Sequence, residues 1–145
     1  MSKVSFYLLK QGQAAERYVF ACRLCEKISA QKMKIYLHTD TPEQASYLDD
    51  LLWSFRPDSF LPHCLLDTEI DEEVSILIGH GESGHENPKK DFDVLVNLSE
   101  TVPAFYRQFD RVAEIISTDE TEKAQGRQRW SHYKEDGIEL ETHQA

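Results

Sequence analysis

No apolar run in the 145 residues approaches the roughly 20 that a membrane-spanning helix needs, so a spanning segment is excluded. No G-x-x-x-x-G-K-[ST] string is present, which excludes nucleotide hydrolysis on a P-loop. There are three cysteines, an odd number, and this points to a reduced, cytoplasmic protein with free thiols. Positive charge is scarce. Sixteen Lys and Arg stand against 26 Asp and Glu, for a net charge of −10, which argues against nucleic-acid binding by the surface as a whole. Internal repeats and domain linkers are also missing. What is present is 40% hydrophobic and 29% charged residues of both signs, enough for one packed domain and unlike a disordered chain. Met1 to Val4 lead directly into a strand-like run, so no signal peptide is expected.

Apolar runs and helical periodicities alternate along the chain. Residues 4–9 read as a buried strand and 14–31 as a helix with Tyr18, Val19, Cys22, Cys25 and Ile28 near helical spacing. A strand is expected over 34–38. Thr41, Pro42 and Gln44 then spell an N-cap, a first-turn proline and the partner of a capping box, opening a helix to about Trp53. Further strands are expected over 74–78, 93–98 and 111–116, a short helix over 103–109, a last helix over 119–136, and a frayed tail over 137–145. Such alternation predicts an α/β fold: a mostly parallel sheet of about five strands with helices on both faces.

Most chemical motifs fail on context. Gly79-His80-Gly81-Glu82-Ser83-Gly84 fits G-x-G-x-x-G, but a dinucleotide site needs a helix at that turn, and a loop-like, charged stretch follows instead. Cys22 and Cys25 fit C-x-x-C yet lie mid-helix on one face, where small core residues belong; His63 and Cys64 are the only adjacent candidates for further zinc ligands. His80 and His85 flank Glu82 without any spacing that supports a catalytic metal. Asp49-Asp50 and 71–73 read as solvated charges. No cofactor, metal or catalytic residue is expected.

Two features stand out. Trp53, Phe55, Phe60 and Leu61 are interleaved with Pro57 and Pro62 after the second helix. Large aromatics on irregular backbone either plug a core edge or form a patch that another protein covers. On the last helix, Lys123, Arg127, Trp130 and Lys134 make one stripe, with Arg129 beside it. One reading is a helix whose cations complement its dipole and whose Trp130 seals the core. The other is a pocket for an acidic, apolar-ended peptide.

Phe6-Tyr7-Leu8-Leu9, Leu48-Asp49 to Leu52-Trp53, Ser59-Phe60-Leu61-Pro62-His63, Asp93 to Leu98 and Arg127 to Tyr133 occur in an order and spacing that resembles the chi subunit family of bacterial DNA polymerase III. The resemblance covers nearly the whole chain and weakens in the first helix, over 65–73 and in the glycine loop. It implies a single, Rossmann-like domain without a nucleotide site, and a non-enzymatic adaptor. Family members pair with the psi subunit, which ties them to the clamp loader, and bind the acidic C-terminal tail of single-stranded DNA-binding protein. Some pair with a repair helicase instead. The resemblance implies that Trp53, Phe55, Phe60 and Leu61 face psi or the helicase. It also implies that Lys123, Arg127 and Trp130, with Ile116 at the preceding strand end, hold the tail. Ser131 stands where the family can carry another basic residue, and Trp130 where a Tyr is familiar; either the tail site is weaker here or Lys134 compensates. DNA contact would be indirect. The alternatives are a helicase-paired repair adaptor using the same aromatic face, and a nucleotide-binding enzyme using the 79–84 loop.

Overall fold

The computed structural model describes residues 2–10, 14–55, 62–65, 74–81 and 92–145. In chain order the elements are β1 (Lys3–Leu8), α1 (Ala14–Ser29), β2 (Ile35–Thr39), α2 (Pro42–Ser54), β3 (His63–Leu65), β4 (Ile76–His80), β5 (Val94–Asn97), a 3-10 turn (Tyr106–Gln108), β6 (Arg111–Ile116), α3 (Glu120–Glu135) and β7 (Glu139–Gln144). The strands form one sheet in the order β3-β4-β2-β5-β6-β1-β7, and every pairing is parallel. The expected α/β class and parallel sheet are therefore present.

The side chains of adjacent strand residues point to opposite faces, and here both faces are covered. Ile35, Leu37, Ile76, Ile78, Val94, Val96 and Ile115 pack against α1 and α2 through Cys22, Cys25, Ile28, Leu48 and Leu52. Tyr36, Leu77, Leu95, Val112, Val4 and Phe6 pack on the other face against Phe105, Phe109 and Tyr133 of α3. β2 is consequently buried at every position.

Start signals work as the sequence suggests. Thr41 Oγ1 accepts from the Gln44 amide at 3.2 Å, and Gln44 Oε1 accepts from the Thr41 amide at 3.2 Å, closing the capping box. The end of α3 is a Schellman motif. Gly137, at φ 75°, donates to Lys134 O, and Ile138 donates to Tyr133 O.

Some boundaries need correction. The described residues hold seven strands, not about five. The additions are β3, only three residues long, and β7, which occupies the expected frayed tail. After the Schellman turn the chain meets the open edge of β1, and Glu139–Gln144 pair with it in parallel, Val4 opposite Leu140. The short helix expected over 103–109 is a single 3-10 turn, and α1 stops at Ser29, before Lys32 turns into the left-handed region at φ 63°. Glycine-loop residues 82–91, with Glu82, Gly84 and His85, lie outside the described residues, as do Phe60 and Leu61.

A buried polar pair fastens α3 to the sheet. Arg129 Nε lies 2.8 Å from Glu114 Oε1, with side-chain exposures of 3% and 0%. Arg129→Met should strand that carboxylate and cost about 3–5 kcal/mol of stability. Glu114→Gln/Arg129→Met removes both charges and should recover most of the loss. Urea unfolding of the three proteins measures both steps. A single variant within about 1 kcal/mol of wild type would show that the pair does not fasten the helix.

Candidate functional site

α3 is pinned along its whole length. Asp119 caps it, accepting from the Glu122 amide at 3.1 Å. The Glu122 carboxylate accepts from Ser117 Oγ at 2.6 Å and lies 3.2 Å from Arg17 Nε, tying the first turn to the end of β6 and to α1. Mid-helix, Arg129 reaches Glu114 and also donates to Glu100 O at 3.0 Å. Further along, Tyr133 donates its hydroxyl to Glu114 Oε2 at 2.6 Å, and Asn97 Nδ2 donates to the same oxygen at 2.8 Å. Burial, and after it the Glu114 carboxylate, pushes the Tyr133 phenol well up, so it remains a donor.

This pinning fixes the helix face that looks along the sheet. Lys123, Gly126, Arg127, Trp130 and Ser131 of α3 line a cleft of about 690 Å³, with Leu8 and Leu9 at the end of β1, Ile116 and Ser117 at the end of β6, and Phe6 and Thr142 across the floor. Ile116, Lys123, Arg127 and Trp130, singled out in the sequence, thus come together. Lys134 is not among the lining residues. Arg129 points into the interior and contributes nothing to the rim.

Trp130 serves the core and the cleft at once. It is half-buried, packs edge-to-face on Phe6 with centroids 5.1 Å apart, and also walls the cleft. Lys123 is only loosely engaged, 3.7 Å from the exposed Glu120. Arg127 is exposed and makes no ion pair among the described residues. The result is an apolar floor with two available cations on its rim. An organic anion with an apolar end fits this arrangement. The sequence pattern did not reveal Gly126 or, apart from Ile116, the sheet-side lining, because β1, β6 and β7 reach the cleft only through topology.

The aromatic segment is partly described. Trp53, on α2, is 55% exposed, and its ring lies 4.6 Å from that of His63. Phe55 is half-buried against the α1/α2 side of the core. Asp49 is not simply a solvated charge: its backbone oxygen lies 3.2 Å and its carboxylate 3.4 Å from His63 Nε2. Since α2 covers one face of the sheet and α3 the other, Trp53 and the cleft lie on opposite sides of the molecule.

β4 runs through Gly79 and His80, and Gly81 follows at φ 52° with its amide donating to Thr39 O. Cys22 and Cys25 are free and buried in the core cluster. No group of three metal-binding side chains occurs among the described residues, and no described helix is long and apolar enough to cross a membrane.

The sequence model of the DNA polymerase III chi subunit family, HolC, matches residues 1–141. The chain belongs to this family. It is 37% identical to DNA polymerase III subunit chi of Pseudomonas aeruginosa over 143 residues, covering 99% of this chain and 96% of that protein. It is 27% identical to the subunit from Haemophilus influenzae, covering 94% and 93%, and 23% identical to that from Escherichia coli, covering 98% and 97%. Among solved structures, domain 2 of the DEAD-box helicase Mss116p, bound to an RNA duplex, matches with a TM-score of 0.62 at 16% identity. The chi-family chain is covered to 99% in that match and spans 64% of the helicase chain's length; the likeness is one of fold alone.

Burial pushes the Cys22 thiol up to about 12 and the Cys25 thiol higher still, so neither forms a thiolate near neutral pH. A Cys64→Ser variant keeps only these two thiols. It should react with a thiol reagent at about pH 8 no faster than it unfolds. Elemental analysis should find less than stoichiometric zinc; one zinc per chain, lost on Cys22→Ser, would overturn the core role of these residues.

Proposed function

We propose that this chi-family chain is a non-catalytic adaptor of the DNA replication machinery. It holds the psi subunit, and through psi the clamp loader, with the Trp53 side. It holds the acidic C-terminal tail of single-stranded DNA-binding protein in the α3 cleft. The observation that carries the reading is the cleft itself: Arg127 and Lys123 rim an apolar floor of Phe6, Leu8, Ile116 and Trp130 on a chain of net charge −10.

The chemistry follows from the rim and the floor. The terminal carboxylate of a peptide pairs with the unengaged Arg127 guanidinium, which can meet it with two parallel N–H donors. Its last apolar side chain leaves water for the wall of Trp130 and Ile116. Lys123 adds attraction to acidic residues upstream. A net charge of −10 disfavours DNA binding by the surface as a whole, so the chain meets DNA through its partners. A large exposed indole on a helix suits a partner-facing anchor, because interfaces concentrate their energy in a few such side chains.

Arg127→Ala should weaken binding of the tail peptide at least about tenfold, since a charged contact costs about 2–5 kcal/mol when buried and less when exposed. Binding should also fall with added salt. Isothermal titration of both proteins decides it: equal affinities with an intact circular dichroism spectrum would sink the assignment.

The two faces should be separable. Trp53→Ala and Phe60→Ala should remain folded, lose psi or a repair helicase as partner, and still bind the tail peptide. Were these side chains core residues, truncation would cost roughly 3–5 kcal/mol, and melting temperature and both activities would fall together. Thermal melts alongside pull-downs distinguish the two outcomes.

A further inference from the structure

Gly126 occupies an interior position of α3, facing the end of β6. Apart from proline, glycine is the poorest helix former, and nothing about this turn of helix requires it. Gly126 has no positive φ; among the described glycines only Gly81 and Gly137 do. What requires it is space. A Cβ built on Gly126 would stand 2.6 Å from Ile116 Cδ1 and 3.3 Å from Ile116 Cγ1. Non-bonded carbons meet at about 3.5–4.0 Å, so the first contact is impossible without movement. Both residues line the cleft. Ile116 is 7% exposed and packed on its remaining sides by the Val4, Phe6 and Tyr133 cluster. The open volume beside it is the cleft.

Resting on the peptide-binding reading above, we propose that Gly126 sets the size of terminal side chain that the cleft accepts. Its missing Cβ lets Ile116 lie back against α3, which holds the floor open. With any larger residue at 126, the Ile116 methyl turns into the cleft and takes the space of the ligand's last side chain. Gly126 thus acts as a specificity-determining residue through Ile116, while Arg127 binds the carboxylate whatever side chain the ligand carries. Small changes in an apolar pocket are read strongly: one methylene shifts discrimination by about 10–200-fold.

The test uses acidic peptides of one sequence with a free carboxylate, ending in Phe, Leu, Val or Ala, titrated into the full chain. Wild type should prefer the large ends. Gly126→Ala should weaken the Phe-ended peptide by about tenfold or more and the Ala-ended one by less than about twofold. Gly126→Ala/Ile116→Val removes the atom at 2.6 Å and should restore the preference for large ends. Ile116→Val alone leaves the helix untouched and should widen the preference for the Phe-ended over the Ala-ended peptide. It serves as the independent check if Gly126→Ala does not fold. An equal loss across all four peptides would mean that Gly126 only lets α3 pack closely, and an unchanged size profile in Ile116→Val would equally overturn the proposal. Failure of wild type to bind any of the peptides would instead remove the peptide-binding reading, and this proposal with it.

Discussion

Glu114 stands in the middle of β6 with its carboxylate wholly inside, where an unpaired charge would cost several kcal/mol. Everything that touches it comes from a different element. Arg129 and Tyr133 reach in from α3, and Asn97 from the end of β5. Asn97 Oδ1 accepts in turn from Ser99 Oγ at 2.6 Å, ordering the turn that follows β5. A purely apolar contact would let α3 slide or rotate by a few degrees at small cost. A carboxylate with three directed donors does not. The rotation of α3 decides which residues face the sheet ends, so the cleft inherits its shape from this interior charge. Glu122, Ser117 and Arg17 repeat the device at the first turn of the helix.

The location of the cleft follows from connectivity. β1 and β6 are neighbours, but the chain leaves β1 for α1 on one face and β6 for α3 on the other. In open α/β sheets such a divergence leaves a crevice beyond the strand ends, where ligands bind. Here the Leu9 amide donates to Ile116 O at 2.9 Å, continuing the ladder past the last paired residues. Leu8, Leu9 and Ile116 present apolar surface at that point. The crevice at the strand ends is therefore kept but lined by apolar groups, with the cations among the described lining residues, Lys123 and Arg127, supplied by one face of α3.

Legibility in the sequence varied with how local the determining physics was. The capping box of α2 lies within four residues, and α3 was expected over 119–136, close to the observed Glu120–Glu135. β7 was not legible, because Glu139–Gln144 is an edge strand with one apolar residue, Leu140, among polar ones. Leu140 and the preceding Ile138 both pack with the Tyr133 cluster. β3 is too short to carry a period. Of the five residues expected of a tail site, Lys123, Arg127, Trp130 and Lys134 form a helical stripe in the sequence; Lys134 shares the stripe but lies beyond the cleft lining, and Ile116 came from the family resemblance. Glu114 sits within Arg111–Ile116, where one carboxylate among apolar neighbours gives no sign of its partners 15 and 19 residues away.

The proposed site for an acidic peptide, on an acidic chain, must work at short range. At physiological salt the screening length is about 8 Å, so most of the 26 carboxylates contribute little at the cleft. The charges that matter are those on the same stretch of α3. Glu120 leans on Lys123 from one side, and Glu135 lines the shallow hollow that continues from Arg127 past Ser131 and His132. These two carboxylates restrain the local field, so two cations attract an acidic chain end without making the surface generally anion-binding. Selectivity then falls on the apolar floor, which the polyanionic backbone of DNA has no means to fill. Under the proposed function, charge would bring the ligand to the rim and shape would decide whether it stays.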